Sequence, residues 1–241
     1  SPAYINRVAT AFNDNGNGVR GDLKVVIKAI LLDPEATECN FIEDVKNGKL
    51  IQPIERFINL FKGFNIASNS GKFWWRELQQ LNPRVEQAFY SSPTVFNFFT
   101  PFYAEDKVVS PEGLVSPEFQ ILHSTTSINY INLIENAIKI RPFLNRSKIN
   151  PITAKLQNDI NDDPFLDLTD EISIYENQGV NALLERVDVV LCRGQMKAEI
   201  KGIIAFAINS FEANSGNYTS ENAVNDVLYF TMMSPNYMIQ K

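Results

Sequence analysis

The sequence predicts an all-α fold, an irregular helical bundle, and three observations carry that reading. Apolar residues recur at helical spacing in one segment after another. Prolines, glycines and short polar residues punctuate those segments where helices start and stop. No alternating strand pattern of convincing length occurs in the 241 residues. One stretch stands outside the helical rhythm: Ser92-Pro93-Thr94-Val95-Phe96-Asn97-Phe98-Phe99-Thr100-Pro101-Phe102-Tyr103 crowds aromatic rings between two prolines. The prolines oppose a continuous helix and the rings are costly to leave in water. A long aromatic-rich non-helical loop is therefore expected, its rings enclosed as a plug by the surrounding helices.

Taken in order, Tyr4, Ile5, Val8, Ala9 and Phe12 make the first helical stripe, ended by Asn13-Asp14-Asn15-Gly16-Asn17-Gly18. That run resembles a calcium loop through Asn13, Asn15 and Asn17, but the position that needs a bidentate glutamate holds Lys24, so a solvated turn is expected. Asp22 stands at an N-cap before Leu23, Val26, Ile27, Ile30 and Leu31, and Asp33-Pro34 breaks the run. Residues 39–50 read as a surface connection. Pro53 suits the first position of a helix carrying Ile54, Phe57, Ile58 and Phe61 up to Gly63. Phe73-Trp74-Trp75, with Leu78 and Leu81 spaced behind them, reads as a core cluster; a platform that stacks a sugar or a base is the alternative.

Further along, Ser116 as N-cap, Pro117 behind it and Glu118 in the first turn open a long helix on Phe119, Leu122, Tyr130, Leu133, Ile134 and Ala137, stopped at Arg141-Pro142. His123 and Ser124 would be adjacent on that helix, about 100° apart, and cannot pair with each other. Asp159, Asp162, Asp163, Asp167, Asp170 and Glu171 follow with no basic residue between them, which reads as a solvated connection between two helical parts. Two domains are expected on that basis. Residues 1–157 form a helical motif-bearing region with the aromatic plug, and residues 158–241 a C-terminal helical bundle, although the two could pack as one. Val180, Leu183, Leu184, Val187 and Leu191, then Met196, Ile200, Ile203, Ile204, Ala207, Ile208 and Phe211, then Val224, Val227, Leu228 and Thr231 after a Ser220 cap, predict an antiparallel three-helix unit. Ser234-Pro235-Asn236-Tyr237 begins a last turn.

Bulk properties exclude some functions. A formal net charge of −6 and a pI near 5.0 argue against a nucleic-acid footprint. No uninterrupted apolar run approaches the roughly 20 residues that span a bilayer, so no membrane span is expected. Ser1-Pro2-Ala3 leads straight into a helical pattern, which fits a cytosolic protein or one whose export signal lies upstream. Cys39 and Cys192 lack metal-site spacing and read as two separate buried thiols or one long-range disulfide. With His123 as the single histidine, neither a His-rich zinc site nor a His-to-His relay is possible, and no metal or cofactor is implied.

Three segments together resemble the C-terminal half of a family of large bacterial proteins known only as domain of unknown function 1800. They are Gly18-Val19-Arg20-Gly21-Asp22-Leu23-Lys24 running on to Ile30-Leu31-Leu32-Asp33-Pro34-Glu35-Ala36, then Ser92 to Pro101, then Gly113-Leu114-Val115-Ser116-Pro117-Glu118-Phe119-Gln120-Ile121-Leu122. The closing Ser234-Pro235-Asn236-Tyr237-Met238-Ile239-Gln240 is similar to the family's usual end. The resemblance implies a mainly helical, exported bacterial protein, and a missing N-terminal half carrying a His-rich, aromatic segment; it implies no activity. The acidic stretch and Phe73-Trp74-Trp75 lie outside the matching motifs.

The polar residues inside these otherwise apolar motifs are Arg20, Asp22, Asn97, Glu118 and Gln120, with His123 just beyond. Each has a structural role open to it as a cap, a dipole partner or a satisfier of loop backbone groups. Two functional readings follow. One is a non-catalytic module for assembly or partner binding outside the cell, its partner the missing N-terminal half or another exported protein. The other is part of a hydrolase acting on an extracellular carbohydrate or polymer, with Glu118, Asp22 and His123 as acid–base candidates and Trp74 and Trp75 stacking a sugar. Arg20, Asn97 and Gln120 are then further binding candidates.

Overall fold

The structure, a computed structural model, describes residues 1–38, 48–71, 73, 82–104, 114–139 and 164–241. These residues are mostly helical and fall into two compact units, Ser1–Gly48 with Lys241, and Lys49–Gln240. The expected boundary between residues 157 and 158 lies outside the described residues, as do Cys39, Trp74, Trp75, Asp159, Asp162 and Asp163.

The first unit holds α1 (Pro2–Asn13), α2 (Leu23–Leu31) and the single turn α3 (Pro34–Thr37). Asp22 caps α2, its carboxylate accepting from the Lys24 and Val25 amides. The loop before it closes on itself. Asp14 Oδ1 accepts from the Gly16 and Gly18 amides at 2.8 Å, and Asn15 Oδ1 accepts from Asn17. Side chains that could have faced a cation are spent on turn backbone, the usual use of Asn and Asp in such loops. Arg7 ties α1 to the start of α3 through two hydrogen bonds to Asp33, at 2.6 and 2.7 Å, and one to Glu35. Asp33 is the one buried residue among residues 1–38.

The second unit is built on α4 (Pro53–Gly63), α5 (Asn82–Val85), a 3-10 turn (Pro117–Ile121), α6 (Ser124–Lys139), α7 (Thr169–Val187), α8 (Ala198–Asn214), α9 (Ser220–Met233) and α10 (Pro235–Met238). Its core joins Leu60 and Phe64 of the α4 region, Tyr130 and Ile134 of α6, Leu183 and Leu184 of α7, Ile208 of α8, and Val224, Val227 and Leu228 of α9. Each such aliphatic or aromatic side chain contributes about 1.5–3 kcal/mol by leaving water. Helix α9 is central, packing on α6, α7 and α8. Two small antiparallel ladders staple distant parts of the chain: β1 (Lys49–Leu50) on β4 (Ile239–Gln240), and β2 (Asn65–Ala67) on β3 (Phe165–Asp167). Strands of two and three residues leave no alternating signature, which is why no strand was expected from the sequence.

Four further expectations are corrected. The long helix from Ser116 is two elements, a 3-10 turn and α6, because Thr126 Oγ1 accepts from the His123 amide at 2.9 Å and donates to the Ile121 carbonyl at 2.7 Å, ending one element and starting the next. Thr219, not Ser220, caps α9. The C-terminal part of the acidic stretch is not a solvated link: Asp167 lies in β3, and Glu171 of α7 is buried and faces Arg186 at 3.5 Å.

The fourth correction concerns the plug. Residues 91–104 run through turns and one isolated bridge between Thr94 and Asn97. The rings are not enclosed. Phe96 is 61% and Phe102 85% exposed, Tyr90 just before them is fully exposed, and Phe98, Phe99 and Tyr103 are half-buried. The core is filled by residues from the helices instead, and the loop lies outside it.

Candidate surface site around the aromatic loop

A set of amide side chains anchors the loop that displays these rings. Gln52 directly precedes α4, whose start is fixed by Pro53 at its first position. Its Oε1 accepts from Gln87 Nε2 at 2.7 Å and from Asn97 Nδ2 at 3.3 Å. Gln87 is buried and its own Oε1 accepts from the Ile54 amide. Farther along, Gln120 Oε1 accepts from both the amide and the hydroxyl of Thr100. These contacts pin the loop at Asn97 and Thr100 and leave Val95, Phe96 and Phe102 facing water.

Backbone strain gathers in the same stretch. Glu86, Tyr90 and Asn97 have φ of 56°, 56° and 75°, in the left-handed region that costs a non-glycine residue about 1–2 kcal/mol. Glu86 is held there beside His123, Oε1 to Nε2 at 2.7 Å, with both side chains about half exposed. The pair joins a carboxylate and an imidazole at the surface.

Beneath α4 lies a different polar feature. Arg56 is completely buried; its Nε donates to the Ile51 carbonyl at 2.7 Å, its Nη1 meets the Met238 sulfur, and its guanidinium sits 4.6 Å from the Tyr130 ring centre. Its Nη2 has no partner among the described residues. Burial raises the Tyr130 phenol to about 12, so the ring next to the guanidinium is neutral, and the Tyr237 phenol, which donates to the Arg56 carbonyl, is likewise pushed up by burial. Arg56 therefore holds α4, α6 and the C-terminal turn together as a buried strut.

The candidate residues from the sequence divide between these settings. Asn97 and Gln120 come into the loop and its anchors, and His123 pairs with Glu86. Glu118 is half-buried in the first turn of the 3-10 element, five positions from His123, whose partner is Glu86. Asp22 and Arg20 belong to the first unit. Asp22 is held below the usual carboxylate range by its bond from Asn15 and by the helix amides, and Arg20 stacks over Phe12 at 5.5 Å. Trp74 and Trp75 lie outside the described residues, and Phe73 is exposed. Apart from the proline following Gln52, nothing in composition or spacing marks Gln52, Glu86, Gln87 or Arg56 in the sequence.

The model of a family described as protein of unknown function (DUF1800) matches residues 1–239. The chain belongs to the DUF1800 family. No curated protein and no solved structure matches it. In this DUF1800 chain the three motif segments have distinct places. The first forms the α2 cap and helix, the second is the ring-bearing loop, and the third is the 3-10 turn that anchors that loop through Gln120.

Proposed function

We propose that this DUF1800 chain is a partner-binding module, and that residues 89–102 of the second unit form its docking face. The observation that carries the proposal is the exposure of Tyr90, Val95, Phe96 and Phe102 on a loop whose base is fixed by amide hydrogen bonds. Exposed aromatic side chains clustered on a rigid base are the composition of interface centres, and fixing the loop beforehand lowers the ordering cost of binding. The partner is a protein, either the N-terminal half that the family resemblance implies or another exported protein. Export is part of the proposal, and finding the protein confined to the cytosolic fraction of its source cells would remove that part. Comparison of the chain with a Tyr90→Ser/Phe96→Ser/Phe102→Ser variant in affinity capture, read by mass spectrometry, tests the docking face. Partners retained by the first and lost by the second support it; identical partner lists refute it.

A second reading rests on the exposed Glu86–His123 pair at 2.7 Å, Glu86 lying just before the ring-bearing loop in the chain. Such a pair could serve acid–base chemistry on a carbohydrate or polymer laid across the loop. Turnover of a polysaccharide that is abolished by His123→Ala and by Glu86→Gln supports this reading. Turnover unchanged by both substitutions excludes it.

A further inference from the structure

The first unit carries a surface that the aromatic loop does not explain. Within α1 and α2 no residue is buried, although these helices are rich in aliphatic side chains. An apolar groove of about 570 Å³ runs between them, lined by Tyr4, Ile5, Val8, Phe12, Val26 and Ile30. Next to it, on the same side of α2 as Ile30, the 100° step per residue places Leu23, Ile27 and Leu31, which are 64%, 55% and 63% exposed. Two helices packed along one seam leave such a stripe bare; a third helix laid across it would cover it.

Charge selects the kind of helix. Lys24 and Lys28 border the stripe along α2, and neither forms an ion pair with a carboxylate among the described residues. The neighbouring carboxylates hydrogen-bond to other groups, and only Asp22 is also seen to attract one of these lysines, Lys24. Asp33 and Glu35 are taken by Arg7, Asp22 by the α2 amides and Asn15, and Asp14 by the Gly16 and Gly18 amides. An incoming helix with acidic flanks meets two exposed ammonium groups, one of which, Lys28, has no carboxylate partner among the described residues, whereas one with basic flanks is repelled. We propose that the α1–α2 face docks an amphipathic helix of a partner protein whose apolar stripe is bordered by Asp or Glu. This goes beyond the loop proposal, involving another unit and another partner chemistry, and either can fail alone.

The test uses the whole chain and three synthetic helical peptides: a leucine stripe with glutamate flanks, the same stripe with lysine flanks, and a scrambled glutamate version. Binding is measured by fluorescence anisotropy, and phosphatidylglycerol vesicles and sedimentation serve as controls. The glutamate-flanked peptide is expected to bind in preference to the others. Ile27→Asp should weaken it by more than about tenfold. Lys24→Glu/Lys28→Glu should weaken it roughly three- to tenfold and improve binding of the lysine-flanked peptide. All three positions are exposed, so circular dichroism should be unchanged. Equal binding of the scrambled peptide, a preference for lysine flanks in the unaltered chain, binding to vesicles but not to peptide, or self-association abolished by Ile27→Asp would each overturn the proposal.

Discussion

Replacing Arg56 with methionine and with alanine separates two roles of a buried guanidinium. The methionine variant loses the stacking on Tyr130, about 2 kcal/mol when shielded from water, and leaves the Ile51 carbonyl without its 2.7 Å donor, about 1–3 kcal/mol. In return it removes an unpartnered Nη2, about 1–3 kcal/mol, and the several kcal/mol needed to hold a permanently charged group away from water. The opposing sums are of similar size, so Arg56→Met should lie within about 2 kcal/mol of the unaltered chain. Alanine loses the same bonds and also the packing of a fully buried stem, which adds about 2–5 kcal/mol. Urea denaturation followed by circular dichroism, with the slopes compared to confirm two-state behaviour, reads the gap. If methionine costs as much as alanine, the charge itself is required, some carboxylate or anion reaches Arg56, and the strut reading is wrong.

Other consequences concern both units. Arg7 holds Asp33, and Ser1 with Arg7 holds Glu35, below their ordinary values of 3.8 and 4.5. A depressed folded-state value stabilises above the unfolded value and the benefit is lost as pH falls through the folded one. Acid titration of the first unit by NMR should therefore show the Arg7 contacts intact above pH 4.5 and released below 3.8, with that transition absent in Arg7→Gln; release at neutral pH would contradict it. Gly63→Ala would place a Cβ 2.6 Å from Val190 Cγ1, a stiff branched methyl, and should destabilise by about 1–3 kcal/mol despite alanine's better helix propensity. Val190→Ala in the same chain should turn that loss into a gain, and an uncoupled double mutant would refute the clash. Cys192 is a free buried thiol that burial pushes up to about 12. In a Cys39→Ser background it should resist Ellman's reagent until the chain is unfolded, and prompt labelling of the native protein would show otherwise.

How far the sequence reached depends on whether a feature is local. The α2 cap, Pro53 at the start of α4, the last turn at Ser234 and the stripes within α8 and α9 follow from spacing and cap chemistry within a few residues, whereas α7 begins at Thr169, eleven residues ahead of its expected stripe. The split at His123 depends on one hydroxyl, Thr126, serving two backbone groups, which leaves no periodic trace. Gly179, at φ 82° and ψ 178°, interrupts α7 in a conformation reserved for glycine, yet a lone glycine in a helical pattern rarely announces a kink. Arg56 carries no sequence signal because hydropathy assigns arginine to the surface, whereas its long stem and flat head suit a buried seam between α4 and α6. Ring content alone favours burial for Phe96 and Phe102, but the core among the described residues is drawn from other segments, and the polar anchors Gln52 and Gln120 hold the loop outside it.

Hydroxyl-radical footprinting of the folded chain, read residue by residue, tests the display of that loop most directly. Tyr90, Phe96 and Phe102 should oxidise at rates close to those of the unfolded chain while Tyr130 and Tyr237 are strongly protected. Protection of Phe96 and Phe102 to the level of Tyr130 would put the rings back inside the core and remove the docking face.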